Sequence, residues 1–175
     1  SLSGVVPTDN KYDFVFNDAD DKFYACFSGY GTGYTTDRQY VRALSVADAG
    51  LGITGSTAVG GGALQSNTTG DDNVAVGRIA LAANTTGTNN VGVGHCALRI
   101  NTTGSSNTSV GACSLCHNST AANNTASGYQ ALYKNTTGAC NTADGSRALN
   151  DNTTGAANTG LGHKALTTNT TGANN

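Results

Sequence analysis

The stretch "NTTGTNNVGVGHCALRINTTGSSN", residues 84–107, decides the fold of this chain because it states Asn-Thr-Thr-Gly twice at a fixed interval. Extended in both directions, the pattern divides residues 57–175 into seven consecutive units of 17 residues with the consensus T-A-V-G-x-x-A-L-x-x-N-T-T-G-x-x-N. We number the positions 1 to 17 and the units as coils 1 to 7. The coils begin at Thr57, Val74, Val91, Thr108, Thr125, Thr142 and Thr159.

A β-solenoid is the architecture that this repeat predicts. Position 4 is Gly, position 8 Leu, and positions 11 and 17 Asn in every unit. A unit of 17 residues cannot bury a core alone, so neighbouring units must cover its apolar side chains. We therefore expect an all-β chain whose residues 57–175 form seven coils, stacked about 4.8 Å apart. Ala and Leu at positions 7 and 8 would fill the interior, and Gly at positions 4 and 14 would take the corners, with Ala121 the exception.

The strand of each coil has two faces with different predicted roles. Neighbouring residues of a strand point to opposite sides, so if the small residue at position 2 faces inward, the Val column at position 3 faces outward. An outward apolar column is typical of an association surface, which makes Val59, Val76 and Val93 candidate assembly residues. The alternative is a corner that places both positions inside.

The N-terminal part of the chain has a different composition. All four Phe and five of the seven Tyr lie in the first forty residues. We expect an aromatic-rich β domain over 1–46 and a Gly-rich linker over 47–56. Within 11–34, alternating Tyr12, Phe14 and Phe16 predict a β-hairpin with an aromatic face that serves assembly. The acidic residues 18–21 lack the Gly and Glu of a calcium loop, which favours a solvated turn.

Composition excludes several classes of partner. The formal charge of −2 and the absence of a basic face argue against nucleic acid, and no apolar segment reaches membrane-spanning length. The chain starts at Ser1 and contains no Met, from which we expect a processed, exported product. The predicted location is extracellular, as a secreted protein or on a virion surface.

The Asn column at position 11 carries a glycosylation motif in every coil. Each Asn is followed by Thr or Ser and then Thr, so each begins an N-x-[ST] sequence. We expect covalent N-glycans, and no other cofactor, on Asn67, Asn84, Asn101, Asn118, Asn135, Asn152 and Asn169. Asn107 and Asn123 are possible additional sites. Two alternatives remain: a structural ladder of stacked Asn and Thr side chains, and an ice-binding array formed by the hydroxyl groups of positions 12 and 13.

The units "STAVGGGALQSNTTGDDN" (56–73) and "NTASGYQALYKNTTGACN" (124–141) resemble the repeats of phage tail-fibre-like proteins, and the "VAVG" and "VGVG" steps are similar to those in the heads of trimeric autotransporter adhesins. The resemblance covers residues 57–175. It implies an elongated extracellular β-roll, often trimeric, that builds fibres or touches a host surface.

The cysteines and histidines do not form a recognisable catalytic or metal motif. Cys96 and Cys113 share position 6 of adjacent coils, which places them within range of a disulfide. "CSLCH" at 113–117 matches a c-type haem attachment pattern, but its Leu115 keeps its place in the repeat. His95 and His163 lie four coils apart, too far to share an ion. We therefore predict no metal site and no enzymatic activity.

These observations predict a structural subunit of an extracellular fibre that binds copies of itself. The array reaches Asn175 without a polar cap, so we expect the aromatic N-terminal domain of the next molecule to cover the last coil, giving a head-to-tail filament. The alternative is a homotrimeric tail-fibre or adhesin shaft that contacts glycans of a host surface.

Overall fold

The computed structural model describes residues 13–17, 22–26 and 55–175. In the N-terminal part, β1 (Asp13–Asn17) pairs antiparallel with β2 (Lys22–Cys26), so that Phe16 lies opposite Phe23. This pairing is the one expected for the hairpin predicted from the alternating aromatic residues, whose turn at 18–21 lies outside the described residues. The rest of the predicted 1–46 domain, the side chains of the hairpin and most of the 47–56 linker lie outside the described residues.

Residues 57–175 form a parallel β-solenoid with one short strand in each 17-residue coil, as the repeat predicts. The strands pair in chain order, and the register places each residue opposite its equivalent in the next coil. The described residues contain no apolar helix of membrane-spanning length. The strands are β3 (Thr57–Val59), β4 (Val74–Val76), β5 (Val91–Val93), β6 (Thr108–Val110), β7 (Thr125–Ser127), β8 (Thr142–Asp144) and β9 (Thr159–Leu161).

The interior of the solenoid is a column of Leu and small residues. Leu at position 8 is fully buried in coils 2 to 6, and Ala at position 7 packs beside it. Each buried Leu contributes about 1.5–3 kcal/mol through the removal of apolar surface from water. In coil 4, Ser114 replaces the Ala, and its hydroxyl bonds to Ser109, which replaces the small residue of position 2. The two substitutions compensate each other, so no buried hydroxyl is left unpaired.

The strand faces follow the prediction. The residue at position 2 is buried, as in Ala75, Ala126 and Ala143, while position 3 faces outward. Val59 and Val110 are 38% and 44% exposed. The alternative in which a corner buries both positions is therefore wrong.

Two ladders of Asn side chains hold the coils together. At position 11, Nδ2 of each Asn donates to Oδ1 of the equivalent Asn in the preceding coil over 2.9–3.0 Å, from Asn67 to Asn169. At position 17, Oδ1 of each Asn accepts from both the backbone N and Nδ2 of the Asn one coil later, for example from Asn90 to Asn73. Ser56, assigned to the linker by sequence, starts this second ladder, because its Oγ accepts from the backbone N of Asn73.

The glycines of positions 4 and 14 are required for different reasons. At position 4 the backbone φ is strongly positive, +133° in Gly94, a conformation that side-chain-bearing residues avoid. Position 14 does not have a positive φ. There, a Cβ on Gly104 would collide with the backbone oxygen of Ala121 in the next coil and with the Asn101 side chain. The predicted corner role thus holds for position 4, whereas at position 14 Gly allows close contact between coils, and coil 4 holds Ala121 there.

Three further positions adopt the left-handed conformation, and apart from Gly62 in coil 1 all of them hold residues other than Gly. These are position 8, where Leu115 has φ +46°, position 6, where Cys113 has φ +58°, and position 16, where Ala157 has φ +55°. A left-handed residue with a Cβ costs roughly 1–2 kcal/mol. At position 8 burial of the Leu offsets this cost, so packing between coils determines the local conformation.

Candidate functional site

The predicted glycosylation column lies inside the solenoid rather than on its surface. Asn84, Asn101, Asn118, Asn135 and Asn152 are fully buried, and the end members Asn67 and Asn169 are half-buried. Nδ2, the atom to which an N-glycan is attached, donates to the neighbouring Asn and to the backbone oxygen of position 14, as in Asn101 to Gly104 over 2.8 Å. The predicted surface position of these amides is wrong, because their hydrogens are used to hold the stack. The geometry matches the alternative of a structural ladder.

The two additional glycosylation candidates differ in their placement. Asn107 belongs to the position 17 ladder and is fully buried. Asn123 occupies position 16, where its side chain is exposed. Among the predicted acceptors, Asn123 is therefore the one whose amide is open to solvent.

The hydroxyl columns of positions 12 and 13 also differ. In coils 1 to 6 the hydroxyl of position 12 donates to the backbone oxygen of its equivalent in the next coil, as Thr85 does to Thr102 over 3.0 Å. The two-column array predicted for ice binding is thus reduced to position 13. Its members, which we call the Thr ridge, are exposed and make no side-chain hydrogen bond within the described residues: Thr69, Thr86, Thr103, Thr120, Thr137, Thr154 and Thr171.

The outward side of strands β3 to β6 is dominated by Val side chains. We call it the apolar strand face, and it consists of positions 1 and 3 of coils 1 to 4: Thr57, Val59, Val74, Val76, Val91, Val93, Thr108 and Val110. It includes no charged residue. At position 3 the apolar column is interrupted by Ser127 and Asp144 in coils 5 and 6. The predicted assembly residues Val59, Val76 and Val93 lie on this face, whereas the side chains of Tyr12, Phe14 and Phe16 lie outside the described residues.

Coils 3 and 4 bring together a cluster of sulfur and nitrogen ligands that the sequence did not predict as a site. The side-chain ligand atoms of His95, Cys96 and Cys113 all lie within 4.8 Å of one another. His95 Nε2 is 3.3 Å from Cys96 Sγ. The signal that could have revealed it is Cys at position 6 of adjacent coils with a His at position 5, because residues at equivalent positions stack. Both thiols are free, and the predicted disulfide between them stays a prediction.

The surroundings of Cys113 and of the nearby Cys116 favour the neutral thiol. Burial raises the pKa of Cys113, and the neighbouring thiol of Cys96 raises it further. Burial also raises the pKa of Cys116, while the adjacent Arg99 guanidinium opposes that shift. The contact with Cys116 in turn raises the pKa of Arg99, whose buried Nε has no acceptor at hydrogen-bonding geometry. The Cys113 and Cys116 thiols therefore ionise less readily than exposed cysteines.

The residues of the haem-like pattern are engaged within the stack. Cys116 is buried beside Arg99. His117 Nδ1 lies 3.1 Å from the backbone oxygen of Tyr133, and its ring meets the Tyr133 ring edge-on at 4.6 Å. These contacts give the pattern a role in packing coil 4 against coils 3 and 5.

Comparison of the chain with protein-family models, with characterised proteins and with solved structures found no match.

Proposed function

We propose that residues 57–175 form the rigid shaft of an extracellular structural fibre, which associates laterally with copies of itself through the apolar strand face. The observation that carries the proposal is the pair of continuous Asn ladders, which join all seven coils into one rod. The resemblance of the repeat to tail-fibre and adhesin sequences supports the extracellular location.

The pattern of variation among the coils supports a role in which length and stiffness matter. Four of the five invariant positions, which hold Gly94, Leu98, Asn101 and Asn107 in coil 3, serve the stack. Exposed positions other than position 13 vary: position 5 holds Arg78, His95 and Tyr129 in different coils, for example. Invariant residues in the stack and variable residues on much of the surface are typical of a structural subunit. We expect neither catalysis nor an organic cofactor.

Lateral association follows from the apolar strand face. A second copy of the chain presents the same flat strands at the same spacing of about 4.8 Å, so Val columns from two or three copies can pack in register. Burying Val59 and Val110 there would remove apolar surface that is exposed in the single chain. A carboxylate in the contact would lose hydration without gaining a partner, which costs several kcal/mol.

The test is the mass and shape of the full chain in solution and on electron-microscope grids. We expect laterally associated trimers or bundles for the unmodified chain, and single shafts or filaments one shaft wide for the Val76→Asp/Val93→Asp variant. Ser127→Asp is the matched control, since it places a carboxylate beside Asp144 at the same position in adjacent coils but outside the apolar strand face. It should assemble normally. A monomeric unmodified chain, or equal assembly of all three proteins, would contradict lateral association.

End-to-end assembly through the N-terminal region is a separable part of the proposal. Removal of residues 1–44 should shorten fibres to single shafts or lateral bundles, because the aromatic segment is the predicted contact between successive molecules. Persistence of long fibres without it would show that the shaft alone makes the axial contacts.

A second candidate function, contact with glycans of a host surface, is favoured by the Thr ridge. Position 16 is just as exposed, yet in coils 4 to 6 it holds Asn123, Cys140 and Ala157. Position 13 is Thr in all seven coils although its hydroxyl makes no bond that the stack requires. A row of hydroxyls at a regular spacing suits a ligand that is itself a regular array of hydroxyls, such as a polysaccharide.

The glycan hypothesis can be tested with a glycan array and isosteric substitutions. Thr103→Val/Thr120→Val/Thr137→Val removes three hydroxyls of the ridge with little change in shape, and should abolish retention on the glycans that the unmodified chain binds. Ser106→Ala/Asn123→Ala is the control on the neighbouring exposed column. Absence of binding by the unmodified chain, or equal binding by both variants, would reject this candidate.

A further inference from the structure

The cluster of His95, Cys96 and Cys113 points to a function that the shaft does not need for its fold. We propose that these three side chains bind a zinc ion that links coil 3 to coil 4. The juxtaposition is created by the stack, because Cys96 and Cys113 occupy position 6 of adjacent coils while His95 precedes the first of them.

The spacing of the ligand atoms suits a tetrahedral ion after small side-chain movements. Zinc binds thiolate sulfur at about 2.3 Å and imidazole nitrogen at about 2.0–2.1 Å, which separates neighbouring ligand atoms by roughly 3.5–3.8 Å. The three atoms already lie within 4.8 Å of one another, with His95 Nε2 at 3.3 Å from Cys96 Sγ. Closure on an ion therefore requires shifts of about 1 Å. The exposed His95 ring has the freedom to make them.

The donor set also matches the chemistry of zinc. Two thiolates neutralise the charge of the ion, and a neutral imidazole completes three protein ligands, which leaves the fourth position of a tetrahedron for water or an outside ligand. Cys96 is buried and Cys113 half-buried, so the ion would sit at the edge of the stack with the open position toward solvent.

The repeat provides its own comparison for this cluster. His163 occupies the same position 5 as His95, but Lys164 follows it at position 6. The other coils place Gly62, Ile79, Gln130 and Arg147 at position 6. The imidazole and the two thiols therefore coincide at one point in the seven described coils.

The experiment uses the full chain, reduced with a phosphine that does not bind zinc and kept free of oxygen. Zinc affinity is measured by competition with a chromophoric chelator, and cobalt is added separately as a spectroscopic probe. We expect one ion per chain, a thiolate-to-cobalt charge-transfer band, and the intense visible bands of a four-coordinate ion. His95→Ala and Cys113→Ser should each weaken zinc binding about tenfold or more.

Controls separate this site from the other thiols and histidines. His163→Ala and Cys26→Ser/Cys140→Ser should bind zinc as the unmodified chain does. Because His95 is exposed, its substitution tests the site without threatening the fold, and circular dichroism of each variant verifies that.

Three results of the binding measurements would overturn the proposal. They are unchanged zinc affinity in His95→Ala, loss of binding in the Cys26→Ser/Cys140→Ser control, and absence of the thiolate-to-cobalt band. A Cys96–Cys113 disulfide that resists the phosphine, detected by peptide mass, would also overturn it in favour of the covalent link.

Discussion

Asn118 donates from Nδ2 to Oδ1 of Asn101, one coil away, over 2.9 Å, and the same nitrogen donates to the backbone oxygen of Ala121 over 2.9 Å. Both hydrogens of the amide are thus committed within a fully dehydrated column. Because each Asn is at once donor to the preceding coil and acceptor from the following one, damage to one amide affects three coils.

Replacement of a ladder amide by a carboxyl group should destabilise the solenoid strongly. Asn101→Asp removes the donors to Asn84 Oδ1 and to the Gly104 oxygen and buries a charge, which we expect to cost at least about 3 kcal/mol at neutral pH. Burial raises the folded-state pKa of the new carboxyl above its unfolded value of about 3.9. The variant should therefore be most stable below about pH 4 and lose stability as pH rises through the folded-state pKa.

Chemical denaturation at several pH values measures this effect. Asn89→Asp is the control, since Asn89 is exposed and its amide contacts the Thr88 hydroxyl at 3.2 Å. It should change stability by less than about 0.5 kcal/mol. Equal stability of the two variants at pH 7 would contradict the importance of the ladder.

A glycine pair tests the conformation of position 4. Gly94 has φ +133°, and a Cβ added to it would lie 2.6 Å from the Gly111 oxygen. We expect Gly94→Ala to cost at least about 2 kcal/mol in thermal or chemical unfolding. Gly61, at position 5 of coil 1, has no atom within 4 Å of an added Cβ. Gly61→Ala should therefore be neutral or stabilising by up to about 1 kcal/mol. A similar change in unfolding free energy for both variants would contradict the positive φ and close packing of position 4.

The left-handed residues at position 16 offer a route to stabilisation. Ala157 has φ +55°, and replacing it with Gly removes the steric cost of its Cβ, so Ala157→Gly should stabilise the chain by about 0.5–1 kcal/mol. Its neighbour Ala156 does not have a positive φ. Ala156→Gly should therefore destabilise the chain by about 0.5–1 kcal/mol, because Gly loses more conformational entropy on folding. The unfolding temperatures of the two variants should move in opposite directions. A lower unfolding temperature for Ala157→Gly would refute the assignment.

The buried Asn column should remain free of sugar. In cells that carry out N-glycosylation, we expect the folded solenoid to carry at most one glycan, on Asn123, because a sugar on a buried Nδ2 would break two hydrogen bonds and push the coils apart. Intact mass before and after enzymatic deglycosylation counts the glycans, and Asn123→Gln should remove the remaining one. Occupancy at Asn101 or Asn118 in the folded protein would contradict the ladder.

Much of the solenoid could be predicted from the sequence, since stacking translates each repeat onto the next. A period of 17 residues implies that equivalent residues lie one above another, so the Leu column, the inward Ala75 and the outward Val76 follow from size and alternation alone. The cluster of His95, Cys96 and Cys113 was harder to predict from the sequence. His95 and Cys113 lie 18 positions apart, and their meeting depends on how the corner between positions 4 and 6 turns.

The sequence by itself determined the repeat length, the number of coils, the composition of the interior and the pairing of equivalent residues, because these follow from periodicity and side-chain volume. Only the tertiary structure decided which polar columns face inward. Asn101 and Thr103 are both polar and only two residues apart, yet the first is buried and the second exposed. Contacts between coils decide this, because a buried amide is stable only where the neighbouring coils supply its partners.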